Sequence, residues 1–196
     1  MSRLKGLGGM KLKKLSIEQI EKVYTERMKE DFPPAELKSL GIIKQCLDKD
    51  AYECLGLFDG ESMQGYAFLL KRENDYLIDY LAVCPERRNE GIGGKLLGRL
   101  GEYLAEAESI IAEVEDPAFE EDNEKRFLCK RRMEFYYRNG FEDTGVKAVC
   151  FGVHFILIET GVNAVHSKEQ IKELYLKHYR FMLPDEVFRK NVEITE

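Results

Sequence analysis

The stretch Arg87-Arg88-Asn89-Glu90-Gly91-Ile92-Gly93-Gly94-Lys95 gathers three glycines and two arginines where a strongly helical pattern begins. Glycine in a helix interior costs up to ~1 kcal/mol relative to alanine, so a cluster there needs a reason. The first turn of a helix leaves backbone N–H groups unpaired at a partly positive end. Without a Cβ, glycine lets a bulky anion reach those groups. The residue types therefore point to a phosphate site at a helix start, with Arg87 and Arg88 adding charge beside it. Two common phosphate motifs do not fit. A P-loop needs glycine at 89 and Ser or Thr at 96, where the chain has Asn89 and Leu96. A dinucleotide fingerprint starting at Gly91 needs glycine at 96. Gly6-Leu7-Gly8-Gly9 follows no strand and reads as tail.

Three carboxylates fall inside apolar strand patterns. Asp79 interrupts "YLIDYLAV" (Tyr76 to Val83), and strict alternation puts it on one face with Leu77, Leu81 and Val83. Glu113 and Glu115 share a face of "SIIAEVE" (Ser109 to Glu115). Such groups serve as a general base or as an anionic pocket for a cation. For Asp79 a solvent-facing or structurally paired role stays open.

The segment "LAVCPERRNEGIGGKLL" resembles the acyl-CoA signature of the GNAT N-acetyltransferases, Arg/Gln-x-x-Gly-x-Gly/Ala after a strand ending Val-x-Pro, through Val83, Pro85, Arg88, Gly91 and Gly93. A second segment, "EFYYRNGFED", resembles the family's Tyr-x-x-x-Gly-Phe through Tyr136, Gly140 and Phe141. The resemblance covers residues 10–160. It implies a mixed α/β fold with a mostly antiparallel sheet, flanking helices and splayed central strands. It also implies acetyl-CoA as cosubstrate, leaving as CoA. Its diphosphate would rest on main-chain amides of Arg88, Asn89, Glu90, Gly91, Ile92, Gly93 and Gly94. The pantetheine arm would pair with backbone groups of Leu81 and Val83, the Val83 N–H facing the thioester oxygen.

The reaction implied is direct attack of a primary amine on the thioester in a ternary complex. An alkyl ammonium of pKa ~10.4 is almost wholly protonated at neutral pH, so a base is required. Asp79 is the first candidate and Glu113 or Glu115 the second. Tyr136 resembles the family's general acid for the departing thiolate, with Tyr137 beside it reading as packing. One departure stands out. Many relatives carry Asn and Ala where this chain has Cys129 and Arg132. Lys130, Arg131 and Arg132 then either face the phosphates or form a solvated basic face.

These residues need a scaffold, and 196 residues suffice for one domain with a full core. The division expected is a tail over 1–9, a GNAT domain over 10–160 and a helical extension over 161–196 that covers the site or meets a second subunit. Asp and Glu outnumber Lys and Arg 36 to 30, which argues against a general nucleic-acid binder. No signal-peptide pattern or membrane-length apolar run occurs, so a cytoplasmic protein without membrane partners is expected. Five scattered cysteines read as free thiols, and three histidines make a metal centre unexpected.

Along the chain, the patterns predict a strand over 11–15, a helix capped by Ser16, and a second helix starting near Pro34. Strands over 51–59 and 62–71 follow, turning at Asp59-Gly60-Glu61, then the strand over 76–83. A helix begins at the glycines, a strand runs over 109–115, and a helix runs over 123–139 until Gly140 stops it. "VKAVCFGVHFILIE" reads as one closing strand, and Ser167 caps a last helix. The acceptor is expected at "EDFPPAELK" (Glu30 to Lys38) and around His154. A small-molecule amine fits best. Protein N-terminal or lysine acetylation, a non-catalytic acyl-CoA sensor and a phosphate-binding module are the rival readings, and a homodimer is an open possibility.

Overall fold

The computed structural model describes residues 9–34, 36–161 and 166–196. Most of the expected tail, 1–9, lies outside the described residues. The chain starts with β1 (Met10–Lys14) and α1 (Ile17–Val23). Ser16 and Gln19 close a reciprocal capping box at the helix start. The helix continues through a π turn (Tyr24–Met28) into α2 (Lys29–Asp31). α3 spans Leu40–Asp48. Pro34 does not start it, because the Ser39 side chain accepts from the Ile42 N–H and sets the helix start at Leu40. Residues 32–34 and 36–39 thus remain loop.

β2 (Tyr52–Asp59), β3 (Ser62–Arg72) and β4 (Asp75–Val83) form the expected antiparallel run. α4 (Ile92–Tyr103), β5 (Ser109–Glu115) and α5 (Asn123–Arg138) follow. The expected single closing strand is a hairpin, β6 (Glu142–Cys150) and β7 (Val153–Thr160). Phe151 and Gly152 both take positive φ between them, the backbone of a tight hairpin turn. α6 (Lys168–Met182), opened by a Ser167–Gln170 capping box, and α7 (Asp185–Asn191) lead to β8 (Val192–Ile194), which pairs with β6.

The sheet runs β1-β2-β3-β4-β5-β7-β6-β8, and β4–β5 is its parallel neighbour pair. One face packs on α1, α3 and α6 through Ile20, Ile43, Tyr175 and Tyr179. The other packs on α4 and α5 through Leu97, Leu100 and Tyr136. No described helix is long and apolar enough to cross a membrane.

Two irregularities in β4 make the site. Its pairing with β5 ends at Ile78↔Ala112, although β4 runs on to Val83 and β5 to Glu115. The strands splay and a gap opens. Against β3, Tyr80 faces Phe68 while Ile78 faces Leu69, so Asp79 is the extra residue of a β-bulge. The bulge reverses the alternation expected from sequence. Leu77, Tyr80 and Ala82 pack toward α1, α3 and α6, whereas Ile78, Leu81 and Val83 pack toward α4. Asp79 therefore does not share a face with Leu81 and Val83.

Candidate active site

A cleft of about 720 Å³ occupies the gap. Residues Ile78 to Val83 wall one side and Glu113 and Glu115 the other, and Phe32, Pro33, Pro34 and Lys38 also line it. The Cys84 N–H donates to Gln64 of β3 at 3.0 Å. Main-chain groups alternate in direction along a strand, so those of Val83 and Leu81 point into the gap.

At the α4 end, the main chain does what the glycines suggest. α1, α3, α5 and α6 each open on a capping side chain: Ser16, Ser39, Asp122 and Ser167. α4 opens on Gly91, with no side-chain cap. Gly91 has φ +75° and Asn89 φ +64°, left-handed conformations that glycine and asparagine tolerate best. Gly93 answers to packing instead, since a Cβ there would lie 3.0 Å from the Phe135 ring. The uncapped first turn leaves its N–H groups without side-chain partners.

Arg88 does not lie where the sequence suggests. Arg88 turns away from the α4 start, donating from Nε to the Val83 carbonyl at 3.2 Å and pairing with Asp31. Arg87 pairs with Glu90 at 3.2 Å. On α5, Arg131 reaches within 3.5 Å of Asn89 Oδ1, and Arg132 pairs with Glu115 across the cleft.

On the α6 face, two buried carboxylates sit in contrasting surroundings. The Asp79 side chain is fully buried, 2.5 Å from the Lys38 ammonium, and accepts from the Tyr52 hydroxyl. The loop fixes Lys38 through its backbone: its N–H donates to Tyr80 Oη at 2.7 Å, and its carbonyl accepts from Tyr24 Oη at 3.0 Å. Burial alone would depress the Lys38 ammonium, but Asp79, Tyr80 and Glu113 hold it above its usual range. Among the described residues, no cation pairs with Glu113. Its carboxylate accepts from Tyr175 Oη at 2.6 Å and from Tyr179 Oη at 2.9 and 2.8 Å. Burial pushes its carboxyl above the ordinary range against the pull of Lys38 and both hydroxyls.

Tyr136 enters from the opposite face. Its ring packs edge-on against Phe135 and Phe141, 5.3 and 5.1 Å between centroids, and the residue lines the cleft. Burial raises its phenol to about 12, with Arg132 opposing, so it is a protonated donor at neutral pH. Cys150 also lines the cleft, but burial and the Glu113 charge push its thiol up to about 12. Cys84 is buried, donates to the Met63 carbonyl at 3.3 Å and is raised by burial. Neither has the depressed thiol of a nucleophile. His154, expected near the acceptor, instead stacks on Phe119 at 3.7 Å outside this cleft, while Phe151 and Phe155 line it.

Sequence reasoning gave no role to Lys38, which closes the expected acceptor segment, or to Tyr52, Tyr175 and Tyr179. A signal existed for the first: an aspartate inside a buried strand demands a partner. Tyr175 and Tyr179 sit four apart on one helix face, a spacing that the sequence shows without showing what they meet.

This splayed sheet, with a glycine-opened helix after the splayed strand, is the fold of GNAT acyltransferases. Residues 50–143 match the acetyltransferase (GNAT) domain, in keeping with the fold. A Bacillus subtilis (strain 168) protein named as an acetyltransferase, YjbC, is 29% identical over 121 residues, 61% of this chain. The match spans 56% of that relative's length. A GNAT-family structure from Bacteroides thetaiotaomicron superposes with TM-score 0.68 at 24% identity, over 88% of this chain and 98% of that one. Another, from Elizabethkingia anophelis with acetyl-CoA bound, superposes with TM-score 0.54 at 15% identity, covering 78% and 98%.

Proposed function

We propose that the chain is an acetyl-CoA-dependent N-acetyltransferase that modifies a primary amine of a small molecule by direct transfer. The observation that carries this reading is the gap between β4 and β5, opening beside the uncapped glycine start of α4, with Glu113 on one face and Tyr136 on the other. The solved relative from Elizabethkingia anophelis holds acetyl-CoA on the same fold. A cleft of about 720 Å³ suits a small acceptor.

Acetyl-CoA would supply the activated acyl group. The amides of the turn from Arg88 to Gly94, of which that of Arg88 is bonded to the Pro85 carbonyl, would hold its diphosphate, and the Leu81 and Val83 main chain would pair with its arm. Arg88 would act less on the phosphate than on the strand end, since it braces the Val83 carbonyl. The Val83 N–H would face the thioester oxygen and stabilise its developing charge. Glu113 would take the ammonium proton, because Asp79 is already committed to Lys38 and Tyr52. Tyr136 would give a proton to the departing thiolate.

The test is release of free thiol from acetyl-CoA across a library of small amines and amine-bearing peptides. Amine-dependent release with a small amine is the expected result. Release only with peptides would reassign the acceptor, and tight acetyl-CoA binding without any release would make the domain a sensor.

A further inference from the structure

Among the described residues, Glu113 is held from one direction only. Its own strand offers it no donor, and β4 presents Asp79, a like charge, together with Tyr80. The loop before α3 presents Lys38, whose ammonium is bound to Asp79 rather than to Glu113. β6 presents Cys150, held as a thiol. The hydroxyls that do bond the carboxylate both come from α6, in the extension beyond the matched GNAT domain. Tyr179 also lines the cleft, and its ring lies 5.4 Å from the Lys38 ammonium.

We infer that α6 is a working part of the acceptor site, Tyr175 and Tyr179 being positioning residues that hold Glu113 in its ionised, proton-accepting form. The inference rests on Glu113 being the base in the proposed reaction. Its physics is simple. A buried carboxylate is disfavoured as an anion, and a hydrogen bond to a charged group recovers part of that loss. Burial and the Glu113 charge hold both phenols far above their ordinary range, so they remain donors across the working pH. Three contacts from two hydroxyls also fix the carboxylate against rotation.

The consequence has a definite sign. Removing a hydroxyl weakens the ionised form, so Glu113 protonates at higher pH, and activity that needs the carboxylate fails earlier on acidification. The acid limb of kcat/KM should move up by about one pH unit in Tyr179→Phe, and by less in Tyr175→Phe, which loses one contact rather than two. Each phenylalanine keeps the ring in the core, and thermal melting checks the fold. Glu113→Gln should abolish the limb.

If Glu113→Gln keeps the acid limb, Glu113 is not the base and the inference falls with that assignment. If Glu113→Gln loses it but neither tyrosine variant moves it, the base assignment stands and the inference alone is overturned. Infrared titration of the Glu113 carboxyl, taken as the difference from Glu113→Gln, settles the matter without turnover. An upward shift in Tyr179→Phe supports the positioning role, and an unchanged titration refutes it.

Discussion

On the α4 side of the gap between β4 and β5, what faces the cleft is largely main chain. On the α6 side it is side chains drawn from five separate segments. The α4 side needs a strand end, two left-handed residues and a helix without a cap, all within Leu81 to Gly94. The α6 side joins Lys38, Tyr52, Asp79, Glu113, Tyr175 and Tyr179, whose bonded partners lie between 27 and 66 residues apart. A ligand common to many proteins can be held by backbone, which any suitable local sequence provides. An acceptor particular to one protein is met by side chains that the whole fold must bring together.

Within the α6 side the two buried carboxylates diverge further. Asp79 is neutralised by a cation and has a structural partner. Glu113 is bonded by neutral hydroxyls and keeps the capacity to take a proton.

The largest expected effect comes from testing that division at Glu113. Glu113→Gln should lower turnover by about 10²–10⁴-fold, the usual worth of positioned proton transfer, with acetyl-CoA affinity measured by calorimetry unchanged. Asp79→Asn should act on stability. It strands the buried Lys38 ammonium, so urea unfolding should show a loss of about 3–5 kcal/mol. The double variant Asp79→Asn/Lys38→Met should recover much of it. Equal loss of activity and full stability in Asp79→Asn would instead make Asp79 the base.

Tyr136→Phe should lower turnover by about 10²-fold when chemistry limits the rate, leaving acetyl-CoA binding intact. The smallest effect belongs to the main-chain side. Gly91→Ala forces a Cβ into φ +75°, costing about 1–2 kcal/mol in stability. Its acetyl-CoA affinity should drop about tenfold as the amides tilt, measured by the same calorimetry. An affinity unchanged in Gly91→Ala would detach the glycine from the cradle.

The contrast between the two sides also explains what the sequence made readable. Period-two strands and the Ser16 and Ser167 caps are local, and the glycine turn into α4 carries its own chemistry. Three features escaped because their cause is not local. Pro34 carries a helix-start preference that the Ser39 cap, and a loop stitched to Tyr80, override. The run from 146 to 159 hides its turn at Phe151-Gly152, since apolar residues continue from β6 through the turn into β7. The bulge at Asp79 is set by pairing with β3, and one inserted residue exchanges the faces of everything after it. Arg88 is a fourth case. Its place in the motif suggests phosphate, but Asp31, far away in sequence, draws it to the strand end.

The most direct measurement is a crystal structure with acetyl-CoA bound. The account predicts the diphosphate on the amides between residues 88 and 94, the arm along Leu81 to Val83, and the acetyl group in the cleft between Glu113 and Tyr136. A coenzyme bound elsewhere, or a first turn of α4 left without its anion, would contradict it.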